Sequence, residues 1–326
     1  MTVETYERPS RRAMLGGAAA GAALVLAGCS QDQGKPNGVV RIGYQKDGAL
    51  VVAKTQKRLE ARLGPLGVNK IEWAEFPSGP PLLEALNAGG IDFGATGDTP
   101  PIFAQAAGSD LVYVAAVPTT GHSSAILLPK GSPVASVAAL KGKKIAFTRG
   151  SSAHYFAVRA LQSAGLTLDD VSPAYLAPSD ARAAFVRGSI DAWFIWDPYY
   201  AEAVRDADAI VLADAEPFVR SASFFLAGRT FTAAQGPVVR GILDELREVS
   251  GWIASNREAA SELLSHVSGL ELPILRVAIG RAEFGVVPVS PDIAARQQQV
   301  ADDFARLGII PKPIHVADAI ANTGWR

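Results

Sequence analysis

With one cysteine and four scattered histidines among its 326 residues, the sequence can form neither an internal disulfide nor a thiolate-cluster metal site, and a multi-histidine metal site has too few ligands. It has no surplus of charge: 31 basic residues face 32 acidic ones, for a formal net charge of −1, which leaves no electrostatic footprint for a nucleic acid. It also has no apolar run of the roughly 20 residues that a bilayer-spanning helix needs. An anion recognised by this chain must therefore be held by local geometry. What is present is apolar content: 48% of residues are hydrophobic and 19% charged, enough to bury one large core or two moderate ones, and collagen-like, coiled-coil and multi-span membrane classes are excluded.

The position of the lone cysteine explains it. Ser10-Arg11-Arg12-Ala13-Met14-Leu15 places paired arginines before an uncharged run from Met14 to Ala27, and the run closes at Leu26-Ala27-Gly28-Cys29. Residues 1–29 read as an export signal. The closing tetrapeptide resembles a bacterial lipobox, which implies cleavage before Cys29 and acyl chains on its sulfur and new amine, two or three chains anchoring where one does not. The arginine pair is similar to a twin-arginine signal, with Met14 where that signal usually has Phe, so general secretion stays open. Residues 30–38, polar and glycine-containing, read as a flexible tether, and the working domain begins near Val39.

From there, short apolar strands alternate with helical patterns, the signature of an α/β fold with mostly parallel sheets. Val39 to Tyr44 is a buried strand, and Ala49 to about Leu63 reads as one helix with Arg58 and Arg62 on its polar side. An internal similarity organises the rest. One offset, 99 residues, relates Gly89 to Gly188, Ile91 to Ile190, Asp92 to Asp191 and Asp98 to Asp197 without a gap. In each half a helix closes at Gly, a strand opens with Ile-Asp, and a second helix starts beside an Asp near Pro, so two α/β lobes of related build are expected. Residues 39–125 and 223–326 form the first lobe in this reading and 126–222 the second, joined by two crossovers that make a hinge. Helical patterns at Ala233 to Ala254, Arg257 to Val267 and Asp292 to Leu307 are expected to pack back onto the first lobe.

Ligands of open α/β sheets sit beyond the carboxyl ends of the strands, so the cleft belongs there. Gly150-Ser151-Ser152-Ala153-His154 follows a strand and opens a helix whose free N–H groups, dipole and hydroxyls suit an anion. The structural alternative is that Ser151 or Ser152 merely caps the helix. His154 is either a packed first-turn residue or a ligand contact. Across from it, Thr96-Gly97-Asp98-Thr99-Pro100 carries Asp98 or Thr99 as N-cap, and Asp197 before Pro198 repeats the arrangement. Carboxylates repel an anion, so both aspartates are expected to orient helix donors, while Trp196 suits an apolar wall. Enzyme signals are weak. Gly121-His122-Ser123-Ser124-Ala125 lacks the final glycine of a nucleophile elbow, and His122 and His266 have no acid/base partner by spacing.

From Val40 to Asn322 the sequence resembles the substrate-binding proteins of ABC importers in the sulfonate, nitrate and taurine group, most of all the aliphatic sulfonate binders. The resemblance lies in Ile42-Gly43-Tyr44-Gln45-Lys46, Leu83 to Phe93, Thr96 to Pro101, Asp191 to Pro198 and Ile310 to Ile314. It implies a two-lobed, type II periplasmic-binding-protein-like fold, with Gln45, Gly97, Asp98, Thr99, Ser151, Ser152, His154, Trp196 and Asp197 around the cleft. It also implies a monomer with a small organic anion as ligand, no cofactor or metal, a membrane permease with ATPase subunits as partners, and a place outside the cytoplasmic membrane through the Cys29 anchor. Asp47, Thr148-Arg149 and Val219 to Ala222 depart from the sulfonate-binder pattern, which keeps taurine, nitrate and other small anions as alternatives. Proteins of thiamine-precursor synthesis share the resemblance and supply a pyrimidine-binding or enzymatic alternative.

Overall fold

The computed structural model describes residues 38–46, 48–220 and 222–325; the expected leader, Cys29, nearly all of the tether, Asp47 and Ser221 lie outside the described residues. Two mixed five-stranded sheets are built on one plan. The first combines β1 (Val39–Tyr44), β2 (Lys70–Glu75), β3 (Phe93–Thr96) and β4 (Leu111–Pro118) with a late strand, and the second combines β5 (Ser124–Leu128), β6 (Lys144–Phe147), β7 (Ser172–Tyr175), β8 (Ala192–Trp196) and β9 (Ile210–Asp214). The late strand is β10 (Ala222–Gly228). Spatial order is β2-β1-β3-β10-β4 in the first sheet and β7-β6-β8-β5-β9 in the second. In each, three strands run parallel, and the fourth place is taken antiparallel by a strand that follows a crossover. Residues 119–123 carry the chain from the first sheet to the second, and residues 215–220 lead back toward β10.

The repeated sequence landmarks have repeated physical roles. Asp92 accepts the Arg41 backbone N–H at 2.8 Å and Asp191 accepts that of Lys144 at 2.8 Å, so each carboxylate fixes the register of a central strand against its parallel neighbour. Gly89 and Gly188 both end helices in the left-handed region, at φ 72° and 66°, where a side chain would be strained. Those helices are α3 (Gly79–Asn87) and α6 (Pro178–Val186).

The expected first helix is two. α1 (Ala49–Thr55) and α2 (Arg58–Leu63) are separated at Lys57, which has φ 52°. Beyond the break, Arg58 and Arg62, both partly exposed, reach Glu245 of α9 (Gly236–Ser255); Glu245 is 4% exposed, and Arg62 Nε donates to it at 2.9 Å. Two arginines sharing one buried carboxylate satisfy it more fully than a straight helix with solvent-facing arginines would.

The remaining helices are α4 (Thr99–Ala106), α5 (Ser152–Ser163), α7 (Tyr199–Asp206), α8 (Arg229–Ala234), α10 (Arg257–Ser268), α11 (Leu272–Arg281) and α12 (Pro291–Arg306). α11 is absent from the sequence reading, and it does not stay on the first half: Ile274 and Ala278 pack on Ala201 of α7, beside the second sheet. α12 touches both halves as well. One apolar core runs from Ile102 and Leu111 through Phe304 and Tyr155 to Phe147 and Phe194, so the halves share buried surface beside the cleft. Among the described residues no helix is long and apolar enough to cross a membrane.

Candidate functional site

The turns after β1, β3, β6 and β8 converge with α11 and both crossovers around a cavity of about 280 Å³. Gln45, Gly97, Asp98, Ser151, Ser152, Trp196 and Asp197 line it; Thr99 and His154 do not. Both halves therefore contribute to one cavity, as expected for a cleft between them.

The second-half wall starts from Gly150, whose φ of 72° turns the chain sharply after β6 into α5. Ser151 Oγ donates to the Thr148 carbonyl at 2.7 Å, and no serine side chain caps the helix, so the first-turn N–H groups of α5 are not consumed by a side-chain cap. Ser152 meets Gly97 across the cleft so closely that a Cβ on Gly97 would lie 2.0 Å from Ser152 Oγ. Gly97 is needed for space, because its φ lies outside the left-handed region.

The first-half wall offers fewer donors than a bare helix start. Pro100 and Pro101 occupy the first turn of α4 and carry no N–H, which narrows the donors to the peptides of Gly97, Asp98 and Thr99. The Thr99 side chain is fully buried, its hydroxyl donating to Asp98 Oδ1 at 2.9 Å, so Thr99 can serve only through its backbone. Gln45 Nε2 donates to the Ala95 carbonyl at 3.2 Å.

His154 is a core residue. Its side chain stacks on Phe147 with centroids 5.0 Å apart and also meets Phe103, Phe304 and Tyr175, while Nδ1 accepts the Gly150 N–H at 3.3 Å. Burial, helped by the positive charge of Arg149, pushes its pKa down to about 4, so it is neutral near pH 7. A first-turn position points a side chain either into the cleft or onto the neighbouring helices, and four aromatic rings around this one decide for the helices.

Asp197 stands at the start of α7. It is 4% exposed, accepts the Ala201 N–H of α7 at 3.0 Å, and pairs with Arg281 of α11 at 3.1 Å; the Arg281 guanidinium lies 3.6 Å from the Tyr200 ring centroid. Trp196 forms part of the wall with its ring edge-on to Tyr199. One side of the cavity that was not expected from the sequence is formed by α11 and the residues after it, with Leu275, Ala278, Ile279 and then Glu283. The signal was there: Pro273 in a first turn followed by apolar residues at helical spacing. His122 has a partner that spacing could not show, Asp214 at 2.7 Å, which ties the first crossover to the end of β9 and holds the imidazole pKa above its usual value through that hydrogen bond.

Among the described residues no Lys or Arg lines the cavity, and no group of three or more His, Cys, Asp and Glu could hold a metal ion. The arrangement can bind a small molecule with an acceptor-rich head through neutral donors, with apolar walls for its remainder. The sequence profile of the family described as NMT1/THI5 like matches residues 76–260. The chain belongs to this family. Within the wider similarity, a relative from Escherichia coli (strain K12) named for binding aliphatic sulfonates is 44% identical over 283 residues, 86% of this chain and 88% of its own length. The solved structure of the alkanesulfonate-binding protein SsuA from Xanthomonas axonopodis pv. citri bound to MOPS superposes with a TM-score of 0.84 at 42% identity, covering 88% of this chain and 99% of that one. The family fold also occurs in an enzyme: the desulfurization enzyme DSZB superposes with a TM-score of 0.63 at 13% identity over 87% of this chain and 96% of its own, a likeness of fold alone.

Proposed function

We propose that this protein is the extracytoplasmic solute-binding component of an ABC importer, that it captures aliphatic sulfonates in the cavity between its halves, and that it delivers them to a membrane permease for sulfur acquisition. The observation that carries this reading is a cavity shared by both halves where two helix starts and the Ser152 hydroxyl offer uncharged donors and where, among the described residues, no Lys or Arg is part of the lining. A sulfonate is permanently ionised and offers only acceptors, so such donors suit it without any proton transfer. Micromolar binding requires about 8 kcal/mol, whereas one helix start contributes about 0.3–2 kcal/mol, so several donors and burial of the tail act together. Gly97 and Asp98 contribute backbone, Ser152 contributes its hydroxyl and N–H, Ser151 lines the cavity with its own hydroxyl and N–H turned to the Thr148 carbonyl, and Trp196 and the α11 face contain the tail. Asp197 acts one step back, holding α7 and Arg281.

In this reading residues 39–125 with 223–326 and residues 126–222 are the two lobes, the chain works as a monomer, and it catalyses nothing. Residues 1–29 direct export, and lipid on Cys29 holds the protein at the outer face of the cytoplasmic membrane or in the periplasm. Glu283 on the cavity lining favours a second reading, a sulfonate with a cationic amine such as taurine.

The test is thermal unfolding of the purified chain with alkanesulfonates, taurine, sulfate, nitrate, bicarbonate and a thiamine-type pyrimidine. A ligand at a hundred times its dissociation constant adds about 2.7 kcal/mol, a shift of several degrees. A response to alkanesulfonates supports the reading; a response to taurine alone supports the second; silence from every sulfonate with a response elsewhere overturns both.

A further inference from the structure

Among the described residues, the carboxylates on the cavity lining are those of Asp98, Asp197 and Glu283, and they differ in where their charge is spent. Asp98 and Asp197 are 1% and 4% exposed; the first accepts the Thr99 hydroxyl and the second pairs with Arg281. Glu283, two residues beyond α11, is exposed while lining the cavity, which places it at the mouth. A carboxylate there repels an anion that carries no other charge and attracts the ammonium of an aminosulfonate.

His122 lies in the first crossover between Gly121 and Ser123, both of which line the cavity. The two crossovers are in contact at this point: Gly121 has φ 93°, and a Cβ on it would lie 2.8 Å from the Glu216 backbone nitrogen. The imidazole is about half exposed, with Nδ1 2.7 Å from Asp214 Oδ2, while Asp214 Oδ1 accepts the Glu216 N–H at 3.2 Å. His122 is therefore held beside the cavity by a fixed partner. Among the described residues, the charged groups whose fields reach the imidazole are Asp214 of β9, Glu216 of the second crossover and Glu283. All three are carboxylates, and the Asp214 hydrogen bond, the strongest influence, keeps the ring protonated to higher pH than an ordinary histidine. The coupling is mutual, because a Glu283 charge that stabilises the imidazolium is itself offset by it.

We propose that His122 is a specificity-determining residue of the cavity: as an imidazolium it offsets the Glu283 charge at the mouth and admits plain alkanesulfonates, and as a neutral imidazole it leaves that charge to favour aminosulfonates. The inference rests on the cavity being a sulfonate site and makes the choice between two classes of sulfonate depend on pH. The sign follows from charge. As pH rises through the His122 titration a positive charge is lost, and a ligand of net charge −1 loses an attraction that a zwitterion scarcely feels.

Butanesulfonate and 3-aminopropanesulfonate have chains of equal length and differ only in ending with methyl or ammonium, so the ratio of their dissociation constants isolates the charge at the mouth. An alkylamine such as that of lysine titrates near about 10.4, so both ligands keep their charge from pH 5.5 to pH 9. The experiment is calorimetric titration of the purified chain with each ligand across that range at low ionic strength, for wild type, H122Q and E283Q. Glutamine can still donate to Asp214, so H122Q removes the titration and keeps a hydrogen bond. In wild type the preference for 3-aminopropanesulfonate over butanesulfonate is expected to rise about two- to fivefold between pH 5.5 and pH 9, the effect of one charge felt through partly aqueous surroundings. H122Q is expected to hold one ratio throughout, and E283Q to lower the preference by about two- to fivefold at every pH. Should H122Q fail to fold, the wild-type profile and E283Q still decide. A wild-type ratio that does not change with pH, a pH-dependent ratio that persists in H122Q, or an unchanged ratio in E283Q overturns the role of His122 and leaves the sulfonate reading intact. Failure of wild type to bind either sulfonate overturns the reading on which that role rests.

Discussion

Replacing Gly97 with alanine tests whether the two walls of the cleft must meet. The added Cβ would lie 2.0 Å from Ser152 Oγ and 3.2 Å from Ser152 Cβ. The first separation is roughly 1.5 Å short of the ~3.5 Å at which such atoms attract, so either the halves part or the Ser152 hydroxyl swings out of the cleft. Both outcomes remove a hydroxyl from the anion, and a hydrogen bond to a charged group contributes about 1.5–3 kcal/mol, so G97A should weaken binding roughly tenfold to a hundredfold. Folding should be nearly unaffected, because the backbone there does not require glycine. The assay is calorimetry with butanesulfonate on wild type, G97A, S152A and the double variant. S152A removes both the donor and the obstacle, leaving a 3.2 Å contact that gives by a few tenths of an ångström. The double variant should thus bind about as well as S152A alone, a coupling the cycle measures directly. Wild-type affinity in G97A, or penalties that simply add, would refute the reasoning.

Other outcomes follow from the same geometry. His154 is neutral in the folded state, with a pKa near 4 against about 6.5 unfolded, so its contribution is intact above pH 6.5 and is lost as pH falls toward 4, by about 3 kcal/mol; denaturant titrations should show this acid loss shrinking in H154F. Asp92→Ala and Asp191→Ala should each cost about 1–3 kcal/mol in chemical unfolding, the former more because Asp92 also receives the Arg41 guanidinium. Asp303→Ala should destabilise by a similar amount, since Tyr155 loses its buried acceptor, and Y155F should show little further loss in that background. Trp196→Ala should flatten the gain in affinity along a series of lengthening alkanesulfonates, which is about 0.8 kcal/mol per buried methylene where the wall is intact.

The sequence alone determined what depends on local pattern. Short apolar runs and the Ile-Asp landmarks mark β1, β3, β6 and β8, and glycine at 89 and 188 marks helix ends because those positions need a left-handed backbone. The 99-residue offset announced two sheets of one build, since Asp92 and Asp191 do the same job for the same strand pair. Glycine and serine after a strand announced the cleft wall at Ser151 and Ser152. Only the tertiary structure decided which way each side chain faces and what lies across from it. His154 points into an aromatic core because Phe103 and Phe304, distant in sequence, arrive there; Arg58 and Arg62 face a buried glutamate because α9 does. Gln297 meets Asp98 across 199 positions of chain. Spacing along a helix says which residues share a face, whereas the partner of that face is set by how the elements pack, and packing is a property of the whole chain.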